Sequence, residues 1–127
     1  MNEKILVVED NPQNMRLIEM ALRARNYTLF KETDGREALD MAIQEHPDLI
    51  IMDIQLPKMS GLEVTRRLRQ MLEFSNIPII ALTAYAMKGD REKFTQAGCN
   101  AYLSKPISTR GLPEMIDEML RKSRDSK

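Results

Sequence analysis

The chain has a single cysteine, Cys99, among its 127 residues. An internal disulfide is therefore excluded, and such cysteine usage fits a reducing cytosol. Net charge is absent as well, since 19 Lys and Arg are balanced by 19 Asp and Glu. Bulk electrostatics gives no drive toward nucleic acid or anionic lipid, and neither is expected as a partner. No apolar run approaches the roughly 20 residues that a membrane helix needs. Met1-Asn2-Glu3-Lys4 leads straight into a strand-like segment and lacks the architecture of a signal peptide. We expect a soluble, cytoplasmic protein. Internal repeats and low-complexity stretches are missing too. A chain of 127 residues is long enough to bury a core as one domain. We place that domain at 1–122 and read 123–127 as a short charged tail, with no output domain. Met1 and the tail suggest a natural single domain.

Strand-like and helix-like segments alternate five times. That pattern argues for an α/β fold, a parallel sheet covered by helices on both faces. Ile5-Leu6-Val7-Val8 is the first strand, and Asn11-Pro12 offers an N-cap followed by proline at the first helical position. The helix that follows carries Met15, Ile18 and Leu22 beside Leu17, Ala21 and Ala24, with Asn26 as a left-handed end. A strand over Thr28–Lys31 precedes a helix capped by Asp34 with Glu37, running through Ala38, Leu39, Ala42 and Ile43 until Pro47 stops it. The third strand is Leu49–Asp53. Ser60 with Glu63 caps a helix bearing Leu62, Val64, Leu68 and Leu72. The fourth strand covers Ile77–Thr83, and Gly89-Asp90 opens a short helix that ends near Gly98. The fifth strand is Ala101–Ser104. The last helix starts near Ser108–Leu112, with Pro113 tolerable only in its first turn, and buries Met115, Ile116, Met119 and Leu120.

Chemistry in open parallel sheets gathers outside the carboxyl ends of the strands. Here those ends are unusually reactive. Glu9 and Asp10 follow the first strand, Asp53 ends the third, Thr83 ends the fourth and Lys105 follows the fifth. Carboxylates, a hydroxyl and an ammonium converging on one edge make a site for a metal ion and a phosphoryl group. Several of these residues read differently when taken singly. Glu9 or Asp10 alone would be a cap for the Asn11-Pro12 helix. Lys105 alone would be a solvated lysine, Thr83 a β-branched strand residue and Tyr102 a half-buried strand aromatic. Asp53 is harder to dismiss, because an acid ending an Ile-rich strand does little for packing.

Glu9-Asp10, Asp53, Thr83 and Lys105-Pro106 together resemble the receiver domain of two-component response regulators, and the likeness spans essentially the whole chain. The segments 60–65, 86–90 and 105–108 further resemble single-domain cell-division regulators of the DivK type, although similar strings occur in receivers attached to hybrid kinases. The resemblance implies a five-stranded doubly wound sheet with five helices and the flavodoxin-like strand order 2-1-3-4-5. It also implies that Asp53 accepts a phosphoryl group, with Thr83 and Lys105 contacting its oxygens. Mg²⁺ is the implied cofactor, held by Asp10 directly, Glu9 mostly through water, Asp53, and the backbone carbonyl of Gln55. Thr83 and Tyr102 would be the switch pair, and the Lys105-Pro106 bond would be cis. Gln55 and Tyr85 occupy positions that tune acyl-phosphate lifetime, so Tyr85→Ala should speed decay.

The implied partners are a histidine kinase or histidine phosphotransfer protein upstream, and a kinase, phosphatase or adaptor protein downstream. The chain would be no enzyme beyond its own phosphotransfer and dephosphorylation. An aspartyl-nucleophile phosphatase usually carries a second Asp two residues on, where this chain has Gln55. A flavin carrier needs Ser, Thr and Gly at the first strand tip, where Glu9 and Asp10 would repel a flavin phosphate. A receiver fragment of a hybrid kinase, or a receiver that never accepts phosphate, are the remaining alternatives. Arg66, Arg67 and Arg69 read as a solvated helix face, His46 as a solvated helix end, Cys99 as a small buried residue, and Met59 and Met87 as loop residues available to a partner.

Overall fold

The computed structural model describes residues 2–84, 90–105 and 110–125. Its elements run β1 (Lys4–Val8), α1 (Pro12–Leu22), β2 (Thr28–Glu32), α2 (Gly35–Glu45), β3 (Leu49–Asp53), α3 (Gly61–Arg69), a 3₁₀ turn (Leu72–Phe74), β4 (Ile79–Thr83), α4 (Asp90–Ala97), β5 (Ala101–Ser104) and α5 (Leu112–Asp125). The five strands lie in the order β2-β1-β3-β4-β5, and every pairing is parallel. This is the doubly wound order that the resemblance to receiver domains implies.

Strand alternation builds two cores. Leu6, Val8, Ile50, Met52, Ile79 and Ala81 point to the face covered by α2, α3 and α4. Ile5, Val7, Leu49, Ile51, Ile80 and Leu82 point to the other face, where α1 and α5 contribute Ile18, Leu22, Ile116 and Leu120. All ten residues of β3 and β4 are buried, so these strands read as continuous apolar runs rather than alternating ones. Each fully buried Ile or Leu contributes about 1.5–3 kcal/mol. The central strands are thus buried along their whole length, and Asp53 and Thr83 end them.

Three caps read from the sequence form as expected. Asn11 accepts from the Gln13 and Asn14 amides, Asp34 from the Glu37 amide, and Ser60 from the Glu63 amide. Pro113 falls in the first turn of α5. Other expectations need correction. Asn26 is not left-handed; among the described non-glycine residues that conformation belongs to His46 and Lys58. His46, at φ 49°, ends α2 just before Pro47 and stacks on Phe74, 5.4 Å between centroids. Leu72 does not continue the buried stripe of α3. The helix stops at Arg69, and Leu72 sits in the 3₁₀ turn, 90% exposed. Leu17 and Ile43 are exposed as well, because each lies at the margin of its helix's apolar arc, and Ala24 is exposed in the turn beyond the end of α1. β4 begins at Ile79 rather than Ile77, and α5 continues through Asp125, past the boundary set at 122. Met59 packs against the core. Tyr85, Met87, Pro106 and Ser108 lie outside the described residues.

Candidate functional site

The parallel register brings the reactive strand tips together. Val8 is level with Met52, Asp53 with Leu82, and Thr83 with Ser104. Glu9 and Asp10 therefore leave β1 beside Asp53, and Lys105 leaves β5 just beyond Thr83. The Lys105 amide donates to the Thr83 carbonyl at 2.8 Å, extending the β4–β5 pairing to the base of the lysine side chain. The Glu9 amide donates to the Glu32 carbonyl at 3.0 Å, which fixes the tip of β1 to β2 in the same way.

Asp53 is 1% exposed and both of its carboxylate oxygens are engaged. Oδ1 accepts from the Gln55 amide at 3.0 Å, and Oδ2 accepts from Lys105 Nζ at 2.8 Å. Lys105 also reaches Glu9, with Nζ 3.1 Å from Oε1 and 3.3 Å from Oε2. One ammonium thus bridges two buried carboxylates. Burial alone would pull the Lys105 pKa down, but Asp53 and Glu9 outweigh it and hold the value above that of an ordinary lysine. Glu9 is fully buried, and burial followed by the neighbouring Asp53 pushes its pKa up to about 7 against the pull of Lys105.

Asp10 stands exposed at the rim. Ligand atoms of Glu9, Asp10 and Asp53 all lie within 4.8 Å of one another. Glu9 Oε1 is buried and lacks a hydrogen bond. Three hard oxygen donors, one of them held only by its ion pair with Lys105, form a donor set suited to a divalent cation such as Mg²⁺. Of the residues named from the sequence, Glu9, Asp10, Asp53, Gln55 and Lys105 are gathered into this cluster. Thr83 is 4% exposed at the tip of β4, alongside it. Tyr102 sits farther down β5, half-buried, with its ring 6.3 Å from that of Phe94.

Two supporting residues escaped the sequence reading. Gly61 begins α3 directly behind Asp53, and a Cβ there would lie 2.1 Å from the Asp53 carbonyl oxygen. Only glycine lets the helix start this close to the strand tip, and the Gly61 amide donates to the Ile54 carbonyl at 3.1 Å. Arg69 is the second, and the expectation of a solvated side chain is wrong for it. Its guanidinium turns inward and donates to the Gly98 carbonyl at 2.7 and 2.9 Å, the Phe74 carbonyl at 2.7 Å and Asn100 Oδ1 at 2.8 Å. The available signal was its phase, since Arg69 lies four residues beyond the buried Thr65.

Comparison with known proteins agrees with this geometry. The family described as "Response regulator receiver domain" matches residues 5–117. The polar-differentiation response regulators DivK of Brucella ovis and Brucella melitensis are each 50% identical over 120 residues, covering 94% of this chain and 98% of theirs. The receiver domain of the sensor histidine kinase PA1611 of Pseudomonas aeruginosa, with a magnesium ion coordinated in its active site cleft, is 40% identical. Its TM-score is 0.86 over 95% of this chain and 99% of that one. A CheY-like receiver from Methanospirillum hungatei, 26% identical, gives 0.90 over 100% of both chains. A buried aspartate at a central strand tip, an ammonium against it, neighbouring carboxylates and these likenesses lead to one conclusion: the chain belongs to the response regulator receiver family, and within it is similar to DivK.

Proposed function

We propose that Asp53 accepts a phosphoryl group from a phosphohistidine on a histidine kinase or histidine phosphotransfer protein, and that the chain signals by phosphorylation-dependent contact with a second protein. The observation that carries this reading is the Lys105 Nζ to Asp53 Oδ2 contact of 2.8 Å beside the Glu9–Asp10 pair. An Asp53 oxygen attacks phosphorus in line, the phosphorus–nitrogen bond breaks, and the imidazole leaves with the bond's electrons. The product is an acyl phosphate. Lys105 then exchanges its contact with Asp53 for one with a phosphoryl oxygen, and the Thr83 hydroxyl donates to another. Glu9, Asp10, Asp53 and the backbone carbonyl of Gln55 would hold Mg²⁺, which when bound offsets the negative charge of carboxylates and phosphoryl group. Water attack on the acyl phosphate returns the chain to its starting state, so its chemistry is confined to its own phosphotransfer and dephosphorylation.

Formation of the acyl phosphate draws Thr83 toward the phosphoryl group, and Tyr102 follows into the space released. The surface made by α4, β5 and α5 changes with it and is read by a kinase, phosphatase or adaptor protein. The donor protein docks beside the Asp53 edge, against α1. Zero net charge argues against nucleic acid or a lipid surface in either role, and among the described residues no helix is long and apolar enough to cross a membrane. Intact-mass spectrometry after incubation with acetyl phosphate tests the reading. A single Mg²⁺-dependent phosphoryl adduct that is lost in Asp53→Asn supports it; an adduct that persists in Asp53→Asn contradicts it.

A further inference from the structure

Tyr102 is gripped by the first turns of α4. The Arg91 guanidinium carbon lies over its ring, 4.9 Å from the centroid, and the Phe94 ring tilts against it at 49°. Arg91 and Phe94 are three residues apart, on one face of α4. Phe94 is buried, whereas Arg91 is exposed and reaches the ring from the solvent side. Among the described residues Arg91 is in no ion pair, so the ring face is its partner. The other end of α4 is tied down independently. Gly98, at φ 111°, offers its carbonyl to Arg69, and a Cβ at Gly98 would lie 2.6 Å from Arg69 Cγ. α4 is therefore anchored to α3 at its C-terminal end and meets β5 through Tyr102 near its start.

We propose that Arg91 is a positioning residue for the switch. Its guanidinium holds the Tyr102 ring at the surface and α4 against β5, and so sets how much of the unphosphorylated chain already occupies the switched state. A ring that moves inward leaves the guanidinium behind, because Arg91 approaches from the solvent side. The contact therefore favours the unswitched state alone, which is the condition for shifting an equilibrium. Contacts of this kind at exposed sites change a population by about two- to fivefold. The inference rests on the phosphoacceptor reading of Asp53.

The test uses the 127-residue chain labelled with fluorotyrosine and followed by fluorine NMR. Its tyrosines are Tyr27, Tyr85 and Tyr102, and Tyr102→Phe assigns the signal. Spectra are taken with Mg²⁺ alone and with Mg²⁺ plus beryllofluoride, a phosphoryl mimic, for wild type, Arg91→Ala and Arg91→Lys. With Mg²⁺ alone, Arg91→Ala should move the Tyr102 signal toward its beryllofluoride position, with a switched population about two- to fivefold larger. Arg91→Lys should fall between, since an ammonium keeps part of the attraction to the ring. A Tyr102 signal unmoved in Arg91→Ala, with normal phosphoryl adducts at Asp53, overturns the role of Arg91 and leaves the acceptor reading intact. Absence of any Asp53 adduct in folded wild type overturns both.

Discussion

Lys105 holds two buried carboxylates with one charge, and its removal should be felt before any phosphate is present. Glu9 and Asp53 would be left facing each other with no cation between them. Breaking a buried pair from one side costs about 3–5 kcal/mol, and the 17% exposure of Lys105 places this case near the low end. We predict that Lys105→Ala lowers stability by about 3 kcal/mol in urea titrations with chelator present, and that Mg²⁺ restores part of the loss. Cys99 gives a second expectation at this scale. Burial pushes its thiol pKa above the ordinary 9.0, outweighing Thr65 and the nearby Arg69 guanidinium. The native protein at pH 9 should therefore react with a thiol reagent far more slowly than the urea-unfolded chain. Equal rates would show that Cys99 is not enclosed as described.

The site is assembled where helices meet strand tips, and α3 starts in close contact with the tip of β3. Gly61→Ala places a methyl group 2.1 Å from the Asp53 carbonyl oxygen, so either the helix start or the strand tip must shift. A displacement of this kind near a reacting group costs on the order of 100-fold in rate. We predict that Gly61→Ala remains folded by circular dichroism but accepts phosphate from acetyl phosphate at least tenfold more slowly, roughly the loss expected if relaxation absorbs part of the clash. Helix starts were legible in the sequence because Asn11, Asp34 and Ser60 each have a local partner within three residues. Helix ends were not. Asn26 has the chemistry of a left-handed cap without the conformation, and His46 has the conformation without the usual chemistry. Leu72 continues the spacing of α3, but the helix ends at Arg69, whose guanidinium turns instead to the carbonyls of Phe74 and Gly98. Those partners are tertiary and leave no periodic trace.

Across the whole molecule, an apolar sheet delivers charge to one edge, and a cation at that edge should stabilise the entire fold. Glu9 is the most telling residue, being wholly buried with an oxygen lacking a hydrogen bond. We predict that Mg²⁺ raises the melting temperature of wild type, and that Glu9→Gln raises it in chelator while blunting the response to Mg²⁺. An unchanged Mg²⁺ response in Glu9→Gln would remove Glu9 from the cation site. The fold was legible because five apolar runs, each followed by helical periodicity, admit few arrangements. Glu9, Asp10, Asp53, Thr83 and Lys105 were legible because each ends or follows a strand, and parallel strands end together. The bridging of Glu9 and Asp53 by Lys105 was not, since it depends on which rotamers the packed edge permits.

The central claim is that Asp53 carries the phosphoryl group, and borohydride reduction of the phosphorylated protein tests it most directly. Reduction converts an acyl phosphate on aspartate to the alcohol, so peptide mass mapping should find homoserine in place of Asp53. Homoserine at another aspartate with Asp53 intact would contradict the account.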